Sequence, residues 1–274
     1  MLDTAPRQIH QRSKGRAEVA FVPRGAGAAL DRLHQEGSAK AILPDTFGAA
    51  AEVVFLNTSG GLTGGDRLSY GLTLAPGQYA TGTTQTAERA YASGDGVAEV
   101  RVALTVGAGG WLDWLPQETI LYDGAALDRE TVVDLAPGAG CLILESVVLG
   151  RHAMGEAVQG LSFRDSRLVR RGGVPLWAEP LAFDTRTLAA AANPAILGGA
   201  RAFATLAMIG DEAESRLPAL RAVLDEPGVE AAASAFGGKC ILRMLARDGL
   251  PLRRQILRAL AVLRPGPLPR VWQP

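Results

Sequence analysis

The stretch GGLTGGDRL, residues 60–68, combines four glycines, a threonine and an aspartate in a pattern that could bind a phosphate group. A P-loop, however, needs a lysine directly after its last glycine to contact the phosphates. Gly60 and Gly65 have the P-loop interval, but Asp66 occupies the lysine position, where its carboxylate would repel a phosphate. The segment that follows, residues 67–74, alternates like a strand, so the loop lacks a helix N-terminus to bind an anion. The sequence therefore predicts that this loop binds no nucleotide.

Two acidic residues leave two interpretations open. Paired glycines allow positive φ and close backbone approach, so the loop around Asp66 can be a tight connection between β layers. Alternatively, it holds Asp66 as a functional carboxylate. Glu145 raises the same question, because it lies in the middle of the apolar run CLILESVVLGR, residues 141–151. A buried carboxylate is costly without a partner. Glu145 is therefore either satisfied by an arginine or a hydroxyl, or it lines a cavity in which its pKa is perturbed.

Other catalytic chemistry finds little support in the residue types. The histidines His10, His34 and His152 are scattered and do not have zinc-ligand spacing. A GxSxG nucleophile motif is missing from the sequence. Paired carboxylates for glycoside hydrolysis stay possible, since their spacing is spatial rather than sequential. The cysteines, Cys141 and Cys240, each lie within an apolar run, which favours buried, reduced thiols over a disulfide.

Composition limits the partners. The chain has 274 residues, with 28 basic residues balancing 28 acidic ones, and a pI near 6.9. This balance does not indicate a protein that binds nucleic acid or a membrane surface. The first residues contain no apolar signal region, and no apolar stretch is long enough to cross a bilayer. We expect a cytoplasmic, soluble globular protein.

Strand signals dominate residues 50–180. The segments RLSYGLTL, residues 67–74, and EVRVALTV, residues 99–106, both alternate apolar and polar residues. The phrase LAPG closes an alternating strand twice, at residues 74–77 and 135–138. Helical patterns are missing between these strands, which argues against βαβ units. The pattern predicts antiparallel or layered β structure.

The last quarter of the chain changes character. Two helical stripes, at residues 215–228 and 250–266, flank a predicted strand at residues 239–246, and Pro251 suits a first helical turn. Arginines cover the polar side of the second helix: Arg253, Arg254 and Arg258. Such a row is either a solvated face or a docking face for a partner.

Taken in order, these segments resemble the urease accessory protein UreD family, also called UreH. The resemblance is carried by FLNTSGGLTGGDRL, TTQTAERAYAS, WLDWLPQETILYDGA, LESVVLGRHAMGE and LRRQILRALAVLRPGPLPRVWQ, and it spans residues 15–273. Each motif alone is weak, whereas the ordered set is specific. One departure is the entry to the glycine loop, which reads NTSGG where the family often has Pro-Gly-Gly.

The resemblance implies a mainly β, layered β-helix-like body with two short α-helices near the C-terminus. It implies a single domain over residues 1–274, with a flexible N-terminus over about residues 1–14. Members are not enzymes: they bind the urease apoprotein and, through UreF, the GTPase UreG, and they help to deliver nickel. It also implies an internal nickel route lined by acids, here Asp66, Glu88, Glu145 and Glu179, with no tightly bound cofactor.

Weak oxygen ligands suit a transit route, because histidine or thiolate clusters would retain nickel. The competing hypothesis is a β-helix enzyme that uses paired carboxylates on a carbohydrate. Co-purification with UreF, UreG and urease subunits would separate the two hypotheses.

Overall fold

The computed structural model describes residues 12–25, 27–45, 50–264 and 266–273. Within these residues the chain forms seventeen strands. In chain order the strands are β1 (Lys14–Arg24), β2 (Gly27–Gly37), β3 (Ala39–Ile42), β4 (Ala51–Asn57), β5 (Arg67–Leu74), β6 (Tyr79–Thr84), β7 (Glu88–Ala90), β8 (Ala98–Val106), β9 (Trp111–Leu115), β10 (Thr119–Leu121), β11 (Ala125–Leu135), β12 (Gly140–Leu149), β13 (Leu161–Arg171), β14 (Val174–Asp184), β15 (Ala202–Ile209), β16 (Val229–Phe236) and β17 (Lys239–Ala246).

Two sheets face each other. The first has the order β14-β13-β11-β8-β5-β1-β2, and the second the order β16-β17-β15-β12-β9-β6-β4-β3, with β7 and β10 joined to it beside β12. The strands from β1 to β13 in the first sheet pair in parallel, as do β4, β6, β9 and β12 in the second. Antiparallel pairs close the ends of both sheets. The predicted layered, β-helix-like body is confirmed, and its layers are parallel coils without crossover helices.

The LAPG phrases form stacked corners of the coil. Each one leads from the first sheet to the second, and its glycine, Gly77 or Gly138, has a φ near 70°. The Gly77 N–H donates to the Ala108 carbonyl at 2.8 Å, and the Gly109 N–H donates to the Pro137 carbonyl at 3.1 Å. Each LAPG corner is therefore hydrogen-bonded to the corner that lies between them, at residues 107–110.

Alternation in the strands fills the space between the sheets. Leu68, Tyr70, Leu72 and Leu74 of β5 are buried while the intervening residues are not, as the sequence predicts. The side chains that face inward from both sheets form one apolar cluster. Trp114 of β9 and Phe55 of β4 belong to it, with their ring centroids 5.9 Å apart. Burial of this kind supplies most of the favourable free energy of folding.

A second apolar cluster lies on the outer face of the second sheet. It is covered by the helices α2 (Leu217–Arg221) and α3 (Gly249–Leu263) and by a 3-10 turn at Arg270–Trp272. The predicted C-terminal helices and the strand between them are confirmed, although α2 ends at Arg221. One further helix, α1 (Thr185–Ala189), was not predicted from the sequence; the Asp184 carboxylate caps it by accepting from the Thr187 N–H at 2.7 Å.

The prediction for the two thiols is confirmed, whereas the prediction for the N-terminus falls mostly outside the described residues. Cys141 and Cys240 are free and fully buried, as expected. The N-terminal segment expected to be flexible falls mostly on residues 1–11, which lie outside the described residues, and Lys14 begins β1. No described helix has the length and apolar character needed to traverse a lipid bilayer.

Candidate functional site

A break crosses the second sheet at one level. Strand β6 ends at Thr84 and β7 resumes at Glu88, while β9 ends at Leu115 and β10 resumes at Thr119. The neighbouring strand β12 runs through without interruption. It pairs with β9 up to Ile143 and with β10 from Val147, so residues 144–146 lack a ladder partner on that side. This seam places Glu145 and Glu88 at the same level of the coil.

The local sequence accounts for the break. Pro116 follows the end of β9 and cannot donate a ladder hydrogen bond. Opposite it, polar residues of TTQTA, residues 83–87, bond locally instead: the Thr84 hydroxyl accepts from the Gln117 N–H at 2.9 Å. The Thr83 hydroxyl donates to the Leu115 carbonyl at 2.6 Å. Backbone groups released by the broken ladder are therefore partly satisfied by side chains.

A cavity of about 40 Å³ lies inside the break, between the sheets. Its wall combines apolar side chains, among them Tyr70, Val100 and Trp114, with the polar groups of Glu88, Glu145 and Arg129. A second cavity of about 50 Å³ lies on the side of the glycine loop, and Tyr70, Thr84 and Glu88 line both. Such volumes hold a few water molecules or an ion, and they exclude a sugar ring.

Glu88 is the carboxyl shared by the two cavities. Burial raises its pKa to about 7, against the opposing effect of hydrogen bonds from the Arg89 N–H and the Asn57 amide. The amide nitrogen of Asn57 lies 3.3 and 3.4 Å from the two carboxylate oxygens, so these bonds are long. The nearby Asp66 charge raises the pKa of Glu88 further. Near neutral pH, Glu88 is therefore poised between its protonated and ionised forms.

Glu145 faces the same cavity but has a cation beside it. The Arg129 guanidinium Nη1 lies 2.7 Å from Glu145 Oε2, and both side chains are almost completely buried. This contact lacks hydrogen-bond geometry, so Oε2 has no hydrogen-bond partner in the described residues. Oε1 accepts from the Trp114 indole N–H at 3.3 Å. Burial raises the pKa of Glu145, and the Arg129 charge opposes that rise. The sequence left two interpretations of Glu145 open, an arginine partner or a cavity. The structure shows both.

Arg129 begins a buried chain of alternating charges. Its Nε and Nη2 donate to the two oxygens of Asp165 at 3.0 and 2.8 Å, and its Nη1 donates to the Thr119 hydroxyl at 2.9 Å. Asp165 contacts Arg167 at 3.3 Å, and Arg167 contacts Glu179 at 3.3 Å. Although burial works in the opposite direction, the arginines lower the pKa of Asp165. The network compensates its own charges, as buried ions require.

Glu179 ends this chain at the surface. One of its oxygens accepts from Arg243 Nε at 2.8 Å, and the Arg243 side chain is 61% exposed. Glu179 does not line the cavity that Glu88 and Glu145 share. The structure therefore brings together two of the four sequence-predicted acids and connects a third to them only through Arg129, Asp165 and Arg167.

Asp66 is occupied by backbone contacts. Its two oxygens accept from the Ser13 N–H at 2.7 Å and the Thr63 N–H at 2.8 Å. These bonds hold the glycine loop against β1, which supports the interpretation of the loop as a tight connection. The residue is buried and lies outside both cavities. Its charge still reaches Glu88 through space.

The glycine loop is built for close packing. A Cβ added to Gly64 would lie 2.0 Å from the Ser93 Oγ, and one added to Gly61 would lie 2.3 Å from the Tyr91 ring. The loop leads into strand β5, as predicted, and so it presents no helix N-terminus.

The sequence analysis did not identify the arginines of the site. Arg129 occupies an inward position of β11, between Leu127 and Thr131, and Asp165 and Arg167 occupy inward positions of β13. Charged residues in phase with buried ones are a detectable signal. Within the described residues, no three histidine, cysteine or acidic side chains are grouped so that they could hold a metal ion together. The four sequence-predicted carboxyls therefore do not form one cluster. A cation at the break would contact at most two of them, Glu88 and Glu145.

The fold and the site together define a β-solenoid with a small, charge-compensated interior cavity. Comparison with known proteins identifies its family. The family model described as UreD urease accessory protein matches residues 13–273. Three relatives named urease accessory protein UreD are similar over nearly their whole length. The identity is 63% for that of Cereibacter sphaeroides strain ATCC 17025, over 98% of both chains. It is 58% for that of Paracoccus denitrificans, over 96% of this chain and 93% of the relative. For that of Jannaschia sp. it is 49%, over the full length of both.

The chain belongs to the UreD family of urease accessory proteins. The resemblance noted from the ordered motifs is confirmed. The protein therefore acts in urease maturation and is an accessory protein rather than an enzyme.

Proposed function

We propose that this protein is a scaffold that binds the urease apoprotein and, through UreF, the GTPase UreG, and that it conducts nickel towards the urease active site. In this proposal nickel is cargo that passes through the chain in the cytoplasm. The GTP chemistry belongs to UreG, which agrees with the lack of a P-loop lysine after Gly65.

One observation carries the transit part of the proposal. Glu88 and Glu145 line one cavity at a break in the sheet. The hydrogen bonds of Glu88 to Asn57 are long, and Glu145 Oε2 accepts no hydrogen bond. Carboxylate oxygens bind late first-row metals less tightly than imidazole or thiolate groups do, which suits transfer.

The competing carbohydrate enzyme does not fit this cavity. A glycosidase needs two carboxyls on either side of a sugar ring, with room for the ring and a water molecule. The cavity of about 40 Å³ is too small for that substrate. The names of the relatives point to the same conclusion.

The proposal is tested by co-expressing variants with urease and its other accessory proteins. The double variant Glu88→Gln/Glu145→Gln keeps the size of both side chains and removes their charge. We expect the complex to form normally, while nickel per urease active site and urease activity fall about 10-fold or more, as is typical when a metal contact is lost. The single variants should be milder, because both groups act on one ion.

Two further variants define the result. Asp66→Ala/Glu145→Ala tests the predicted contribution of Asp66, and Glu130→Gln is the matched control, since Glu130 lies on the outer face of the first sheet and is 53% exposed. Normal urease activation by Glu88→Gln/Glu145→Gln in an intact complex would refute transit through this cavity. Failure of the chain to bind UreF would refute the scaffold part separately.

A further inference from the structure

A groove of about 490 Å³ lies on the outer face of the second sheet, at the C-terminal end of α3. Its apolar lining includes Trp111 of β9, Met208 of β15 and Leu263, the last residue of α3. Among the described residues, the groove shares none of its lining with the two cavities at the break. The proposed nickel route therefore does not account for this groove.

Trp111 lies across the backbone of two neighbouring strands. A Cβ added to Gly140 would lie 2.4 Å from the Trp111 ring, and one added to Gly210 would lie 2.9 Å from it. Glycines at both positions are therefore what leaves room for the indole. The indole N–H donates to Asp113 Oδ1 at 2.8 Å, so it is not available to a ligand. What the ring presents to the groove is its π surface.

The end of α3 favours a cation in the groove. The last turn of this helix contains no basic residue, so nothing within that turn offsets the negative end of the helix dipole. Arg264 follows the helix, but its Nε donates to Asp113 at 3.0 Å and its Nη1 donates to the Pro267 carbonyl at 2.7 Å. The Arg264 charge is therefore compensated by Asp113. The π surface of an indole attracts cations as well.

Two carboxylates of one turn add negative charge to the lining. Glu212 lies 3.1 Å from Arg216 Nη2, so this charge is compensated. Asp211 is exposed, and its side chain forms no ion pair or hydrogen bond with any described residue. The groove therefore keeps one uncompensated carboxylate together with an aromatic surface and a helix C-terminus.

We propose that this groove binds an arginine side chain presented by a protein that the scaffold binds, with the guanidinium stacked on Trp111 and paired with Asp211. Arginine fits better than lysine, because its planar guanidinium both stacks on aromatic rings and pairs with carboxylates. Met208 and Leu263 can pack against the methylene groups of such a side chain. A metal ion fits poorly, since one free carboxylate beside a ring does not supply the several ligands that it needs.

This inference rests on the scaffold part of the proposed function for the partner, but the chemistry of the groove is tested without any partner. The probe is the dansyl-labelled peptide Ala-Leu-Arg-Leu-Ala amide, and matched peptides carry glutamine or lysine at the central position. Fluorescence anisotropy gives the Kd of each peptide for the isolated full-length chain. We expect the arginine peptide to bind about fivefold more tightly than the glutamine peptide, as one cation–π contact provides. Equal affinity of these two peptides would overturn the proposal, and tighter binding of the lysine peptide would overturn the assignment to arginine.

Tryptophan fluorescence locates the bound peptide. Trp111 is the one tryptophan of the four that is not buried, since Trp114, Trp177 and Trp272 are 8% exposed or less. Quenching by acrylamide therefore reports mainly on Trp111. Saturating arginine peptide should remove the accessible component of the quenching, and unchanged quenching would place the peptide elsewhere and overturn the proposal.

Variants separate the charge from the ring. Asp211→Asn should weaken binding of the arginine peptide about threefold and reduce its dependence on salt. The exposed Asp211 side chain makes normal folding the expectation for this variant. Trp111→Leu should weaken binding about fivefold, and a thermal melt checks its fold because the bond to Asp113 is lost. Glu230→Gln removes an exposed carboxylate on β16, outside the groove, and is the matched control. Equal effects of Asp211→Asn and Glu230→Gln would overturn the proposal.

The partner is identified by adding UreF, UreG and urease apoprotein separately to the chain. The protein that presents the arginine should protect Trp111 from acrylamide, and Asp211→Asn should weaken its binding about threefold. Complexes in which Trp111 stays as accessible as in the isolated chain would overturn the docking role and leave the scaffold function intact. Failure of every complex to form would refute the scaffold function, whereas the peptide measurements would still decide the chemistry of the groove.

Discussion

The two sheets of this solenoid are built from the same coils, yet only one of them is interrupted. Strands β8 and β11 of the first sheet run for nine and eleven residues without a break, whereas β9 and β10 of the second are separated by three residues containing Pro116. The first sheet supplies Arg129 at the level of the break, opposite Glu145. The break in one sheet therefore lies opposite a buried charge supplied by the other.

The charged residues of the first sheet also differ in burial between its two faces. On the outer face, Arg101 is 40% exposed and contacts Asp128 at 2.8 Å. On the inner face, the Arg129 side chain is 7% exposed and contacts two carboxylates. Exposed pairs contribute little to stability, whereas removing one partner of a buried pair leaves an uncompensated charge.

The largest expected effect is on the inner network. Arg129→Met keeps much of the side-chain volume but leaves Glu145 and Asp165 without their main counter-ion. We expect the free energy of unfolding to fall by about 3–5 kcal/mol. Arg101→Met, the matched change on the outer face, should cost less than about 1 kcal/mol. Urea denaturation at neutral pH measures both, and equal losses would contradict the distinction between the faces.

The next effect concerns the pH dependence of Glu88. The pKa of Glu88 is about 7 in the folded chain and about 4.5 in the unfolded chain, so between these pH values the folded state holds a proton that the unfolded chain releases. Stability contributed by this proton is present below about pH 4.5 and is lost as the pH rises towards 7.

Glu88→Gln should remove this loss. At pH 8 we expect the variant to be more stable than the unchanged chain by about 2–3 kcal/mol, and to show a flatter stability profile between pH 5 and about 7. Glu99→Gln is the control, since Glu99 is 39% exposed on the outer face of the first sheet. Denaturation curves at several pH values make the measurement; profiles of the same slope for Glu88→Gln and the unchanged chain would show that Glu88 is not protonated on folding.

A smaller effect tests the glycine loop that connects the two sheets. Gly64→Ala places a Cβ 2.0 Å from the Ser93 Oγ and 2.4 Å from the Asp95 carbonyl oxygen. Overpacking of this kind should cost about 1–3 kcal/mol. Gly94→Ala in the facing turn meets no atom within 4 Å and should be almost neutral. Thermal melts compare the two, and an equal effect would mean that the loop is not packed as described.

The smallest expected effect is none at all. The isolated chain should not bind GTP or ATP, because the glycine loop leads into β5 and Asp66 stands in the lysine position. Isothermal titration calorimetry at micromolar concentrations tests this, with UreG as the positive control. Micromolar binding of either nucleotide would overturn the interpretation of the loop.

The sequence by itself determined the strands of the central region, the corners and the family. Several features of the fold are specified by local patterns: the alternation in β5 and β8, the LAPG corners and the two C-terminal helical stripes. Such patterns can be read from the sequence because each strand or turn depends on residues that are close in the chain. The acid in the apolar strand β12 was also visible as a group that needs an explanation.

Only the tertiary structure decided which charges meet. Arg129 and Glu145 lie sixteen positions apart on opposite sheets, and their contact depends on the register of β11 and β12 across the coil. A shift of one residue in a strand would turn its side chains to the other face, so no periodicity in the sequence specifies such a pair. For the same reason Glu88 and Glu145 share a cavity while Asp66, six residues after Gly60 in the glycine loop, is bound by backbone N–H groups instead.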